Sequence, residues 1–385
     1  MLVMRGCTIL DIDLEKIRYN SIQVVEKCHQ QGIAVLGVTK GFGALHQIVS
    51  AMVEGGVDGL ADARMENILE LRKRSFIQPI TLLRIPRLSN VETVVQYADT
   101  SVNSEITVIK ALAEAAKKFN KIHQVILMVD VGDLREGILK EDVLDIAGQI
   151  ACLKGIKLSG LGTNMGCFGG ILPSSTNLGI LVELRSALEK QLGHKLEIIS
   201  GGATSTLALV EKHQVPVGVN QLRIGEGILL GTDTTNNQKI PWLKQDTFIL
   251  RAEVIEVNSK PTVPTGTIGR DAFGHIPKFI DIGVRKRAIV AMGKQDVDIE
   301  GIRPVDESLM ILGASSDHLI LDITESQQGI KVGDQIAFSL TYPGLLSASH
   351  SNDVEKLFTG GTFQKSMWSG YQYPKGPVPQ VYGLN

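Results

Sequence analysis

The chain has 385 residues, 43% of them hydrophobic and 21% charged, with a net charge of −2 and no basic block. It reads as a soluble globular protein, too long for one ordinary core, so two domains are expected; the charge balance argues against nucleic acid or an anionic membrane surface as the main partner. The cysteines Cys7, Cys28, Cys152 and Cys167 form no CxxC pair, which argues against a zinc site or a disulfide framework and fits a reducing cytoplasm.

Residues 1–10 hold too short an apolar run for a signal peptide, and no segment is long enough to span a bilayer. Residues 7–12 read as a strand that pairs into the C-terminal part of the chain. The next run, Ile33-Ala34-Val35-Leu36-Gly37-Val38-Thr39, ends on Lys40 and is followed by Gly41-Phe42-Gly43. Short, rich in β-branched residues and closed by glycine, it reads as a buried strand. A lysine at its tip has two readings. One is an ammonium snorkelling past the strand end. The other is an amine consumed in a Schiff base, which removes the cost of burying an unpaired charge.

Strand-like runs recur at 57–61, 81–86, 100–103, 124–130, 156–164, 196–202 and 222–229. Helical stretches lie between them. Ile109, Leu112, Ala116 and Phe119 repeat at spacings of three and four behind an expected N-cap at Ser104. Val143, Ile146, Ala147 and Ile150 do the same, with Gly155 as a stop. Eight strands joined by helices predict an α/β fold, a (β/α)8 TIM-like barrel, with a doubly wound open sheet as the rival. A barrel should gather polar chemistry at its strand ends. Lys40, Asp62, Asn103, Asp130 and Asn164 sit at or just past such ends, Arg84 falls within strand three, and Arg223 and Glu226 fall within strand eight. Some of these are ordinary loop polars.

Ser200-Gly201-Gly202-Ala203-Thr204-Ser205-Thr206 sits between a strand and a helix expected over 207–213. Glycines there allow close backbone approach, and the helix start offers free N–H groups, so the segment reads as an anion cradle or as a capped turn. Arg223-Ile224-Gly225-Glu226-Gly227 adds a second glycine-bearing edge, and barrels often build phosphate sites after strands seven and eight. Beyond residue 241, β-like stretches with glycine turns (248–257, 288–292, 309–312, 319–322 and 335–340) predict a β-rich second domain. The domain division is thus 11–235 for the barrel and 1–10 with 236–385 for the β-rich part. The tail 358–385 reads as an irregular arm.

Lys40 at strand one, the Ser200–Thr206 cradle and Arg223-x-Gly225 together resemble the alanine racemase superfamily, the fold-type III enzymes that use pyridoxal 5'-phosphate. The likeness covers nearly the whole chain. Val129-Asp130-Val131-Gly132-Asp133-Leu134-Arg135-Glu136-Gly137, the 200–206 loop and Ala314-Ser315-Ser316-Asp317-His318 look most like the ornithine racemase branch. The resemblance implies that Lys40 carries the cofactor, that Arg223 faces its pyridine nitrogen and that Arg135 reaches its phenolic oxygen. Gly202, Thr204, Ser205, Gly225 and Glu226 would surround the phosphate, and Asn164 and Ser200 would complete the cofactor-binding set. Arginine only donates hydrogen bonds, so Arg223 would keep the ring nitrogen unprotonated, which suits a racemase better than a decarboxylase.

Racemisation needs acid–base groups on both faces of the α-carbon, and Lys40 serves one. The family supplies the other from the partner subunit, as a tyrosine in a Gly-Tyr-x-Asp motif. Here the match is Gly293-Lys294-Gln295-Asp296, without the tyrosine. Asp296 is the chosen second base, with Lys294 and the Ser316-Asp317-His318 cluster as rivals; each also reads as a surface polar. The family tyrosine four residues after the lysine is Ala44 here, so the phosphate site must be completed differently. The expected protein is a homodimeric racemase with shared active sites, acting on ornithine or a related diamino acid whose distal cation would meet Glu226, Asp271 or Asp296. Alanine is the alternative substrate. A lysine-dependent decarboxylase or aldolase, disfavoured by Arg223, and a non-catalytic cofactor-homeostasis protein, disfavoured by the added β domain, are the alternative functions.

Overall fold

Residues 8–361 are described by a computed structural model. The chain opens in strand β1 (Thr8–Asp13) and passes at once into the helix Leu14–His29, where the Asp13 carboxylate caps the free N–H of Lys16 at 3.0 Å. Eight parallel strands follow: β2 (Ala34–Val38), β3 (Gly59–Asp62), β4 (Ile80–Leu82), β5 (Thr100–Asn103), β6 (His123–Met128), β7 (Ile156–Gly162), β8 (Ile198–Ser200) and β9 (Gln221–Ile224). They pair in chain order and close, with Ala34 of β2 opposite Gln221 of β9. Closure settles the choice between barrel and open sheet. The barrel interior packs Leu36, Val38 and Ala61 in one cluster and Val102, Ile126 and Met128 in another, so it is a filled core. At Gly160 of β7 a Cβ would lie 1.9 Å from the carbonyl of Ile198, so only glycine lets β7 and β8 approach this closely.

After a small hairpin of β10 (Thr232–Asp233) and β11 (Gln238–Lys239), the chain builds an antiparallel module. Its strands are β12 (Phe248–Pro261), β13 (Val284–Val290), β14 (Ile302–Pro304), β15 (Met310–Ala314), β16 (Leu319–Asp322), β17 (Gln335–Leu340) and β18 (Glu355–Thr359). The sheet order is β14-β17-β12-β13-β16-β15, and β1 joins it, antiparallel to β12 and parallel to β18. The expected strand over 7–12 therefore does pair into the second half of the molecule; Cys7 lies outside the described residues. No helix among the described residues is long and apolar enough to cross a membrane.

Several expected elements shift. Glu226 does not lie in a strand, because β9 stops at Ile224 and Glu226 opens the helix Glu226–Leu230. Arg84 stands two residues beyond β4 rather than inside it. The helix over Ile106–Lys118 is capped by Glu105, whose carboxylate accepts from Thr107 N at 2.9 Å, and not by Ser104. The helix expected over 207–213 ends at Glu211, and the expected irregular tail begins as ordered strand, since Phe358 and Thr359 belong to β18. The rest of that tail, 362–385, lies outside the described residues.

His123 opens β6 and is 2% exposed, its Nε2 2.8 Å from Ser101 Oγ. Burial pushes its pKa down from 6.5 to about 4. The folded state thus holds a neutral ring where the unfolded chain takes up a proton, so this contribution is complete above pH 6.5 and is lost as pH falls towards 4. The loss amounts to roughly 3 kcal/mol. Between neutral pH and the fully protonated range, denaturant titrations should show His123→Gln losing about 2–3 kcal/mol less than the parent. Equal losses would mean that another group drives the acid sensitivity.

Candidate active site

The C-terminal ends of the barrel strands open into a cavity of about 670 Å³. Lys40, Arg135, Arg223 and Glu226 all line it, together with the turns that follow β8 and β9. This is the face where a (β/α)8 barrel presents its loops, and a cavity with convergent polar groups is the expected form of a small-molecule site.

Lys40 begins a single 3-10 turn, Lys40–Phe42, two residues past β2. The strand delivers it and the turn fixes it: Ala44 N returns to the Thr39 carbonyl at 3.2 Å, and Ala44 itself takes a positive φ of 53°. The Lys40 pKa is lowered, first by burial and further by Arg135 and Arg223, against the opposing pull of Cys167 and Asp62. A lowered pKa enlarges the fraction of neutral amine, the form that attacks a carbonyl carbon or accepts a proton. Asp62, fully buried at the end of β3, accepts from Thr39 Oγ1, from Arg64 N at 2.8 Å and from Asn67 Nδ2 at 3.1 Å. Burial raises its pKa and these hydrogen bonds resist the rise.

Arg223 points from β9 into a shell of acceptors. It is 3% exposed, and its guanidinium donates to Ser200 Oγ, to the Thr163 carbonyl at 2.7 Å and to Asn164 Oδ1 at 2.6 Å. Burial pushes its pKa down to about 10, which still leaves it a cation at neutral pH. Asn164 in turn donates to Glu136, and Glu136 takes Arg135 in a two-pronged ion pair. Ser200 and Asn164 are therefore the residues that hold Arg223. The four side chains Arg223, Asn164, Glu136 and Arg135 form one continuous hydrogen-bonded row along the cavity.

The two glycine turns meet at the same place. Gly202 bends the chain with a φ of 103°, and its carbonyl accepts from Arg223 N at 3.0 Å. Thr204 Oγ1 accepts from Gly227 N at 3.1 Å, which ties the turn after β8 to the one after β9. At Gly225 a Cβ would stand 3.2 Å from Val38 Cβ, so a side chain there would press on β2 below Lys40. Glu226 turns aside: its Oε1 accepts from Thr232 Oγ1 at 2.8 Å and from Thr234 N and Oγ1 at 3.0 and 2.6 Å. Burial raises its pKa, against those bonds.

Two cavity residues went unrecognised in the sequence. Tyr342 opens the helix Tyr342–His350 of the β module and reaches across to the barrel, where a Cβ on Gly41 would sit 3.3 Å from its ring. Burial, with help from Glu226, Cys167 and Asp62, pushes its phenol up to about 12. It brings a phenol beside the Lys40 turn, in which Ala44 has none. The signal was Tyr342-Pro343 after a predicted strand, since proline is common in the first helical turn. Cys167 also lines the cavity, on the loop just past Asn164. Its signal was Asn164-Met165-Gly166-Cys167-Phe168-Gly169-Gly170, a glycine-rich loop behind a barrel strand.

Asp296 is not in this cavity. It lines a separate depression on the β module with Asp317, His318 and Asp353, and its carboxylate accepts from Gly293 N at 2.7 Å. Burial, with Asp353 and Asp317 nearby, raises its pKa. Lys294 and Ser316 do not line the Lys40 cavity either: Lys294 Nζ sits 3.5 Å over the Phe273 ring, and Ser316 Oγ bonds Asp317. Asp271 lies in an exposed loop and caps the N–H groups of Phe273 and His275.

Residues 12–233 match the family described as alanine racemase, N-terminal domain. An ornithine racemase from Acetoanaerobium sticklandii is 42% identical over 348 residues, covering 90% of this chain and 98% of that protein. A lysine racemase from Thermotoga maritima is 42% identical over 347 residues, covering 90% and 97%. Among solved structures, an alanine racemase from Streptomyces lavendulae superposes with a TM-score of 0.71 at 16% identity, covering 93% of this chain and 98% of that one. One from Bartonella henselae, described with covalently bound pyridoxal phosphate, gives 0.70 at 16%, covering 92% and 100%.

Proposed function

The chain belongs to the alanine racemase family, and from that membership we propose that it is a pyridoxal-phosphate-dependent racemase of diamino acids such as ornithine and lysine. The reading is carried by one observation: Lys40, Arg223 and both glycine turns meet in one cavity of a chain that matches two diamino-acid racemases along nine-tenths of its length.

The residues present fit the cofactor. A lysine with a lowered pKa suits its aldehyde, and a buried arginine that can only donate suits its pyridine nitrogen. The turns 203–205 and 225–226 and Tyr342 line the same cavity, and their backbone N–H groups and phenol are the donors a phosphate would use. When bound, the cofactor supplies an electron sink that makes the substrate's α-proton removable.

The chain's own residues do the rest. Lys40 Nζ would hold the cofactor and, as a neutral amine, would accept or return the α-proton on one face. Arg223 keeps its proton and would so limit how much charge the ring withdraws. Arg135, braced by Glu136, would offer a cation to the cofactor or to the substrate carboxylate. Glu226 lines the cavity and is the carboxylate there that a distal ammonium could meet, since Glu136 is taken up by Arg135 and Asn164.

The protein is further proposed to work as a homodimer. The loop between β12 and β13 exposes Ile268, Phe273, Ile276, Phe279, Ile280 and Ile282, a run of apolar side chains whose exposure supports burial against a second copy. The test incubates the cofactor-loaded protein, found dimeric by sedimentation, with L-ornithine, L-lysine and L-alanine and follows each by chiral chromatography. D-ornithine or D-lysine should form at least tenfold faster than D-alanine. If neither diamino acid inverts, the substrate reading fails; a monomer that racemises would overturn the dimer alone.

A further inference from the structure

We infer that Arg84 anchors the substrate's α-carboxylate, and so lets the cavity tell an amino acid from the corresponding amine. This rests on the racemase reading above.

Three arginines line the cavity: Arg84, Arg135 and Arg223. Two of them already have acceptors. Arg223 donates to Ser200 Oγ, to the Thr163 carbonyl and to Asn164 Oδ1. Arg135 gives both Nε and Nη2 to the Glu136 carboxylate. Arg84 makes no hydrogen bond or ion pair among the described residues. The protein's own anions in the cavity are occupied elsewhere: Glu136 is held by Arg135 and Asn164, and Glu226 is drawn to Thr232 and Thr234. Arg84 is thus a cation whose counter-charge must come with the ligand.

The backbone that carries it is fixed on both sides. Leu83 N donates to the Asp62 carbonyl at 2.7 Å, and the Leu83 side chain packs against both clusters of the barrel interior. Pro86, two residues beyond Arg84, is buried. Between these supports Arg84 is exposed, so its guanidinium is open to a ligand while its root is held. The rest of the cavity lining from β3 to β5, Ala63, Leu83, Ile85 and Val102, is apolar. A single guanidinium on an apolar wall presents a planar fork of N–H donors, the geometry that takes a carboxylate through two parallel hydrogen bonds.

The ligands of a pyridoxal-phosphate racemase bring two anionic groups, the cofactor's phosphate and the substrate's α-carboxylate. The donors suited to a phosphate gather in the turns after β8 and β9. In the closed ring β4 is four strands from β8 in either direction, so Arg84 stands across the mouth from that cradle. The α-carboxylate is the anion left for it. Every α-amino acid carries that group, so Arg84 would set the class of substrate and leave the choice among side chains to the rest of the cavity, Glu226 included.

The experiment titrates the cofactor-loaded parent, Arg84→Met and Arg84→Lys with L-ornithine and with 1,4-diaminobutane, which is ornithine without its carboxylate. Binding is read from the visible absorbance of the cofactor. The parent should bind L-ornithine at least ~10-fold more tightly than the diamine, the scale of a charge-assisted hydrogen-bonded pair. Arg84→Met keeps the length of the stem and removes the charge. It should bind L-ornithine at least ~10-fold more weakly than the parent, with the diamine changed by less than about threefold, so that the preference collapses. Arg84→Lys should keep part of it, since it retains the charge without the fork. In turnover the loss should fall on KM for L-ornithine more than on kcat. A merely structural arginine would weaken both ligands together. The inference is overturned if Arg84→Met binds L-ornithine within about threefold of the parent, or if both ligands weaken by the same factor. A parent that binds both ligands but racemises no diamino acid would instead overturn the racemase reading, and the binding comparison would still decide the role of Arg84.

Discussion

Lys40→Ala is expected to lose racemisation by at least ~10³-fold and to yield no reducible cofactor adduct anywhere in the chain. On the proposed function, the substitution removes two things at once: the amine that would tether the aldehyde and the proton carrier for one face. It spares the surroundings, since Thr39, Ala44 and Asp62 hold the turn by their own hydrogen bonds. Lys40→Arg separates charge from chemistry, because arginine keeps the cation in the cavity but cannot give up a proton or condense with an aldehyde. It should be as inactive as the alanine variant. Peptide mapping of the borohydride-treated parent is the direct check. A pyridoxyl group on any lysine other than Lys40 would sink the assignment.

The second large effect is expected at Arg223. Arg223→Glu places a carboxylate among Ser200 Oγ, the Thr163 carbonyl and Asn164 Oδ1, three groups now accepting from the guanidinium. Two of them can rotate to donate; the carbonyl cannot. A buried charge without donors costs several kcal/mol, so part of the effect falls on stability. On the proposed function the remainder would fall on the ring nitrogen, which would gain an acceptor in place of a donor and tend to take up a proton. Racemisation should drop about 100-fold or more, by the scale of a lost preorganised donor, and the visible spectrum of the bound cofactor should change. Arg223→Lys keeps the charge but not the fork, and should lie between the two. An unchanged spectrum together with an unchanged rate in Arg223→Glu would remove Arg223 from any role at the ring.

Much of this was legible along the chain because barrel strands carry their signal locally. Short β-branched runs closed by glycine or a polar residue placed Lys40, Asn103 and Ser200 within two residues of real strand ends. Where the reading slipped, local features competed. Glu226 continues an apolar run, so sequence alone extends the strand through it, but Gly225 breaks the strand and the next turn becomes helix. Ser104 is the stronger capping type, yet Glu105 stands at the register where its carboxylate meets Thr107 N. Tyr342 and Cys167 were illegible for another reason. Tyr342 belongs to a different module from the lysine it adjoins, and Cys167 gains its neighbours only when the loops after β6 and β7 meet on Asp133. Periodicity reports neighbours along the chain, and these two are neighbours only in space.

The position of β1 has a consequence for biosynthesis. Ile9 pairs with Arg251 on one side and Glu355 on the other, so β1 is completed only by strands translated long after it. At about 5–20 residues per second, the 346 residues between Ile9 and Glu355 take roughly 20–70 seconds to make. Within that interval the barrel can close once β9 has emerged, because its strands pair in order, whereas the apolar face of β1 has no sheet to enter until β12 follows. The nascent chain therefore carries a finished barrel behind an unfinished edge, and that edge is where a chaperone that shields unpaired strands would act during translation.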